Sequence, residues 1–286
     1  MHPIVAVIAP GAMGSGIARC LVDHGAAVPT LLDGRSPASV DRARAAGMVA
    51  ADEVVIAAAD IILSIVPPGE AAALAERLAP ALRAATRKPV YVDCNAVSIE
   101  TVRAIAAAVT STGAGFADGG IIGLPPREGG AGPALYLAGP DAARLGILGD
   151  LGLRIRVLDG PVGAASALKM SYAGITKGLT GLASAMILAA ARNGAAAALH
   201  TELAASQPQL LARFERVVPD MYDKAYRWVA EMREIADFLG PDDPAQRIYE
   251  AAADLFEGLA ADRSGDGRGI AALDEFLALG KAGAAT

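Results

Sequence analysis

Three groups of residues in this 286-residue chain have types and spacings that could do chemistry. The first is Ala9-Pro10-Gly11-Ala12-Met13-Gly14, which follows the apolar, β-branched run Ile4–Ala9. Set against G-x-G-x-x-G, the second and third glycines stand as Gly11 and Gly14, and Ala9 replaces the first. A glycine at position 11 lets the backbone approach a pyrophosphate, and one at 14 lets the next helix lie close on its sheet. The free N–H groups of that helix, beginning with Ala12 and Met13, would face the phosphates. A tight strand-to-helix turn without a ligand is the alternative. The second group starts at Asp33, about 20 residues on, where a carboxylate would accept from the ribose 2′-OH of NAD. Arg35 and Ser36 follow at once, and a guanidinium and a hydroxyl suit the 2′-phosphate of NADP. Either NADP or NAD fits, with a slight lean to NADP. The third is Lys169, a charge in an otherwise apolar helical stretch, where it is costly without a purpose. A desolvated lysine has its pKa lowered toward neutrality and becomes a usable acid and base; a lysine on a solvated helix face is the alternative.

The elements that must hold these groups alternate. Strand signals at Ile4–Ala9, Val28–Leu32, Ile61–Val66 and Val90–Asp93, with weaker ones at Gly115–Asp118 and Ala134–Ala138, are separated by Ala-rich helical stretches. This pattern predicts an α/β fold, an N-terminal Rossmann-type doubly wound parallel sheet, over residues 1–160. From residue 161 to 286 the spacing predicts an all-α C-terminal domain, divided at Pro208, Pro219 and Gly240-Pro241-Asp242-Asp243-Pro244.

Composition narrows the partners. Hydrophobic residues are 53% and charged residues 20%, a globular balance, and the net charge of -6 comes with no basic cluster, so no nucleic acid partner is expected. The most apolar stretch, Gly178–Ala191, is bounded by Lys177 and Arg192 and falls short of the ~20 residues that cross a bilayer. It reads as a helix buried in a protein core, with no membrane partner. Met1-His2-Pro3 leads straight into a strand pattern, and Cys20 and Cys94 lack metal-ligand spacing, so a reduced cytoplasmic protein without a metal site is expected.

Several segments together resemble the β-hydroxyacid dehydrogenase superfamily, which includes 6-phosphogluconate and 3-hydroxyisobutyrate dehydrogenases. They are Gly11–Gly14, Ile61-Val66-Pro67-Pro68, Val92-Asp93-Cys94-Asn95, Asp118-Gly119-Gly120-Ile121-Ile122-Gly123, and Gly160-Pro161-Val162-Gly163 leading to Lys169. The stretch Lys224–Met232 looks like the branch with a C-terminal helical domain of unknown function.

The resemblance implies an oxidoreductase acting on a small hydroxy-acid-like substrate in a cleft between the domains, with a homodimer formed through the helical domain. It implies Lys169 as the catalytic acid/base, Asn95 near the nicotinamide ribose, and Val66 and Pro67 as a wall of the nicotinamide pocket. Two positions depart from the family. Ala173 stands where Asn is usual, which leaves Tyr172, Thr176 or Lys177 to supply the polar contact, and Lys177 could hold an anionic group. Ile122 stands where Ser is usual before Gly123, so the backbone of Gly120 and Gly123 would serve the substrate instead. Arg233 could match a lysine that reaches a neighbouring active site. An imine reductase relative and a dinucleotide-binding protein without turnover are the competing readings.

Overall fold

A computed structural model describes residues 3–126 and 132–282 of the chain. By contact it divides into two units, Met1–Lys169 and Met170–Thr286. The opening Met1-His2 lies outside the described residues.

In the first unit the strands are β1 (Val5–Ile8), β2 (Pro29–Thr30), β3 (Val49–Ala50), β4 (Ile61–Ser64), β5 (Val90–Asp93), β6 (Gly115–Ile122), β7 (Ala134–Ala138) and β8 (Arg154–Val157). The helices between them are α1 (Ala12–Asp23), α2 (Pro37–Ala45), α3 (Glu53–Ala57), α4 (Ala71–Ala84), α5 (Ile99–Thr110) and α6 (Ile147–Asp150). Strands β1, β4, β5 and β6 run parallel in that order, β7 joins β6 antiparallel, and β8 lies parallel to β7. The short parallel pair β2–β3 attaches beside β1 through the Ile4–Ala27 bridge. The result is the doubly wound arrangement expected, extended by β7 and β8.

Alternate residues feed the two faces, because side chains of a strand point to opposite sides in turn. Val5, Val7, Leu63 and Val92 join Ile17 and Leu21 of α1 on one face. Ala6, Ile8, Ile62, Tyr91 and Phe116 join Leu78 of α4 and Ile105 of α5 on the other.

Strands β3 and β8 were not expected. Two residues, Val49–Ala50, are too few to show a period, and β8 reads Arg-Ile-Arg-Val on the sheet's edge, with both arginines on one face and Ile155 against the core on the other. Strand β2 covers only Pro29–Thr30 of the expected Val28–Leu32.

The second unit is helical: most of α7 (Ala164–Arg192), then α8 (Ala196–Ser206), α9 (Pro208–Tyr222), α10 (Ala225–Leu239), α11 (Gln246–Ser264) and α12 (Arg268–Ala282). Pro208 opens α9, where its missing N–H is harmless. Pro219 does not divide the helices as expected; it lies inside α9 on the exposed side, where water can satisfy the carbonyl it leaves free.

The stretch Gly178–Ala191 is not a buried core helix. It is the last half of α7, a 29-residue helix long and apolar enough by length and composition to cross a membrane, with only 33% of its apolar window buried. One side, through Gly174, Gly178 and Gly181, lies so close to Tyr249 and Phe256 of α11 that a Cβ there would sit 3.0–3.2 Å from those rings. Side chains smaller than a methyl let the helices approach. The other side exposes Ile175, Leu182 and Met186.

Candidate functional site

Strand β1 ends on Ile8, and the chain turns through Pro10 into α1 with Gly11 as its extended N-cap, at φ −72° and ψ −179°. A Cβ on Gly14 would lie 2.0 Å from the carbonyl oxygen of Ala9, so the helix runs against the strand end only because no side chain is there. At Gly11 nothing among the described residues lies within 4 Å of the missing Cβ. Helices α2, α3 and α5 begin on capping side chains, Ser36, Asp52 and Ser98. Helix α1 has neither a capping side chain nor an acid in its first turn. Among the described residues, no side chain satisfies its positive end at Ala12 and Met13, which is where an anion would be favoured. Gly14→Ala should destabilise the protein by about 3 kcal/mol, the upper end of an overpacking cost, measured by urea unfolding.

Asp33 is exposed three residues past β2. Arg35 is ion-paired with Glu70 at 3.3 Å, and Ser36 accepts from the Ser39 N–H while its hydroxyl donates to Ser39 Oγ at 3.1 Å. A residue not anticipated from the sequence joins them. Arg42 of α2 donates through Nε to the carbonyl of Pro10 at 3.1 Å and through Nη2 to Ser39 Oγ at 2.8 Å. It therefore ties the glycine turn to the start of α2. Its spacing from Ser39 was the available signal; its reach to Pro10 exists only in the folded chain.

Across the sheet, register places Ile8, Ser64, Asp93 and Asp118 side by side. The three polar members are fully buried. Asp118 Oδ2 accepts from the N–H groups of Gly163 (3.0 Å), Ala165 (2.8 Å) and Ser166 (3.0 Å), and Oδ1 accepts from the Ser166 hydroxyl at 2.6 Å. A carboxylate so placed satisfies the orphan donors at the start of α7 and complements its dipole. Lys169 follows Ser166 by three residues, and its position is set by this anchor. A Cβ on Gly120 would lie 2.6 Å from the Ala165 carbonyl oxygen and 3.6 Å from Lys169 Cβ, so α7 starts directly on β6. Gly123, at φ +129°, turns the chain against Pro133, and Ile122 is half-buried at the strand end. Asp118 and Ser166 were not singled out as site residues; an acid inside an apolar strand was the signal.

Asn95, expected near the nicotinamide ribose, has its amide turned inward. Its Oδ1 accepts from the N–H of Val66 at 2.7 Å, and its Nδ2 donates to Ser64 Oγ at 2.9 Å and to Asp93 Oδ1. The amide is thereby committed to joining the ends of β4 and β5. Val66 is buried beside it and Pro67 is exposed.

Burial raises the carboxyl of Asp93 to about 7; the Asn95 hydrogen bond and the charge of Lys169 pull it down, and Asp118 pushes it up. Burial also pushes the Cys94 thiol up, which leaves it inert. Because folding raises the Asp93 pKa from 3.8, its contribution to stability is complete below that value and lost as pH rises through about 7. Asp93→Asn should therefore gain stability relative to the native protein between pH 5 and 8.5, and urea midpoints at the two pH values check it.

In the second unit, Lys177 pairs with Glu231 and sits 5.3 Å from the centre of the Trp228 ring, so its charge is engaged within the bundle, contrary to the expectation of an anion site. Thr176 bonds back to the carbonyl of Tyr172 at 2.8 Å, Tyr172 is exposed, and Ala173 is half-buried. Arg233 makes an exposed pair with Glu257 at 3.6 Å. Met232 is fully buried, and Trp228 stands edge-on to Phe256. Among the described residues no group of three or more His, Cys, Asp or Glu could hold a metal ion.

Residues 4–145 match the family described as the NAD binding domain of 6-phosphogluconate dehydrogenase, and residues 190–259 match a domain of unknown function, DUF1932. No curated protein matches the chain in sequence. One similar solved structure is a conserved protein of unknown function that shows structural similarity with 3-hydroxyacid dehydrogenases. It is 30% identical, the alignment covers 91% of this chain and 98% of that one, and the TM-score is 0.75. The 3-hydroxyisobutyrate dehydrogenase of Mycobacterium tuberculosis, solved with L-serine, is 19% identical over 92% of this chain and 95% of its own, with a TM-score of 0.74. An imine reductase of Streptomyces aurantiacus is 20% identical over 89% and 93%, with a TM-score of 0.54.

Proposed function

Because the chain belongs to the β-hydroxyacid dehydrogenase superfamily, we propose that it moves a hydride between a nicotinamide and a small hydroxy-acid-like alcohol or its carbonyl. The observation that carries this reading is the anchoring of α7 on Asp118. It holds Lys169 beside the carboxyl ends of β5 and β6, the edge at which parallel sheets bind ligands.

The residues around the turn fit a dinucleotide: the open Gly11, the uncapped α1 and the close Gly14 would hold its diphosphate. When bound, the nicotinamide supplies or accepts the hydride at C4. Lys169 Nζ takes the hydroxyl proton as the alcohol is oxidised and returns it as the carbonyl is reduced. Gly120 lets the start of α7, with Lys169, lie directly on β6. Ile122 offers no hydroxyl where the family resemblance implies Ser, which removes a hydrogen bond worth about 1–3 kcal/mol to a charged partner. The substrate is accordingly held by backbone N–H groups of Gly120 and Gly123 and by apolar contact.

Arg35, Ser36, Ser39 and Arg42 gather donors beyond β2, and this supports NADP over NAD; Asp33 opposes it. Fluorescence titration with NADPH and NADH, followed by turnover on a panel of hydroxy acids, alcohols and cyclic imines, tests the proposal. Tight NADPH binding with hydroxy-acid turnover is the expected result, and failure to bind either nucleotide would sink it. The loss of polar groups at Ile122 and Ala173 favours imine reduction as a second reading, which turnover of imines alone would support.

The functional unit is a homodimer in this reading. Tyr172, Ile175, Leu179, Leu182 and Met186 recur on α7 at spacings of three and four, and Ile175, Leu182 and Met186 are 67%, 62% and 55% exposed. A second copy presenting the same seam is the partner that matches it. Leu182→Glu should convert the dimer to monomer in analytical ultracentrifugation; a native protein that sediments as a monomer would contradict the reading.

A further inference from the structure

We infer that Asp93 tunes the charge state of Lys169, the two being coupled electrostatically across the edge of β6. This deepens the reading of Lys169 as acid and base and rests on it.

The two carboxylates of the buried row have different surroundings. Asp118 accepts from four donors and is thereby explained as the anchor of α7. Asp93, on the neighbouring strand, accepts from Asn95 Nδ2 through Oδ1, and among the described residues its Oδ2 has no hydrogen-bond partner. A fully buried carboxylate with so few donors is expensive, and a neutral Asn or Ser would hold the same Asn95 bond at lower cost. Burial is met in part by holding the proton, and a cation nearby eases the ionised form.

Geometry supplies one. Asp93, Asp118 and Gly120 point to the same face of the sheet, and α7 begins on that face. The missing side chain of Gly120 brings Lys169 Cβ to 3.6 Å from where a Cβ would be, one strand from Asp93. The charge of Lys169 acts on both Asp93 and Cys94.

The titratable groups on the face of Asp93 are Tyr91 on its own strand, Asp118 on β6 and Lys169 on α7, and Cys94 follows it in the chain on the opposite face. Burial pushes the phenol and the thiol up, so neither ionises near neutral pH. Asp93, raised to about 7, is the carboxyl able to exchange a proton in the working range. When Lys169 takes the hydroxyl proton it becomes an ammonium, and an ionised Asp93 stabilises that charge. Protonated Asp93 withdraws this support. Asp93 is thus a positioning residue that acts through Lys169.

The test uses the full chain without cofactor, labelled with 13C at the aspartate carboxyls and titrated by NMR in the native, D93N and K169M forms. One carboxyl should titrate near neutral pH, vanish in D93N, and move to higher pH by about half a unit or more in K169M, because a neighbouring cation has been removed. A midpoint that stays put in K169M overturns the pairing. A second readout is the pH profile of kcat/KM for alcohol oxidation. Its acid limb should move to lower pH in D93N, whereas a merely structural role would lower activity without moving the limb. The two layers separate cleanly. If K169M still turns over but the carboxyl midpoint moves, the pair stands and the acid/base assignment falls. If K169M is inactive and the midpoint is fixed, the assignment stands and the pair falls.

Discussion

Lys169→Ala should lower kcat for alcohol oxidation by about 10²- to 10⁴-fold, the usual contribution of a positioned acid/base, with the affinity for NADPH essentially unchanged. The lysine follows the Asp118-anchored turn of α7, on the face of the sheet that also carries Asp93, and its removal deletes a proton acceptor without disturbing the glycine turn at the end of β1. Lys169→Arg should fail almost as badly, because a guanidinium stays protonated at working pH and cannot accept the hydroxyl proton. Stopped-flow measurement of NADPH formation, beside a fluorescence binding titration, separates chemistry from binding. Equal turnover by native and Lys169→Ala protein on every substrate would remove the lysine from the mechanism and leave the imine reductase reading ahead.

Asp118→Ala should cost about 3–5 kcal/mol, as for loss of one member of a buried charged network. Three N–H groups and one hydroxyl would be left in the interior without their acceptor. For a chain of this size that corresponds to a fall of roughly 10 °C in melting temperature, read by differential scanning calorimetry. Asp118→Asn should recover only part of the loss, because an amide turns a donor toward at least one of those donors. In both variants the start of α7 loosens, so turnover should fall with stability. A variant as stable as the native protein would mean that the α7 turn is held by something other than this carboxylate.

Much of the first unit was legible because the signals are local. Strands β1, β4 and β5 announce themselves as short apolar β-branched runs, since a parallel strand covered on both faces must be apolar throughout. Gly11 and Gly14 stand where a close turn excludes any side chain, and the 2.0 Å approach to Ala9 states that requirement in distance. Strands β3 and β8 were illegible because an edge strand owes its existence to its neighbour and not to its own residues.

The site divides in the same way. By itself the sequence determined the glycine turn, the acid and the arginine after the second strand, and a lysine inside an apolar helix, because each depends on residues close together in the chain. Tertiary structure alone decided what those groups touch. It turned Asn95 inward to join Ser64 and Val66, 31 and 29 residues away, and carried Arg42 to Pro10 across 32 residues. It paired Lys177 with Glu231, and set Asp118 on the N–H groups of Gly163, Ala165 and Ser166, more than 40 residues on. Side-chain partners of that separation follow from strand register and helix placement, which the whole core selects at once. No window of sequence contains them.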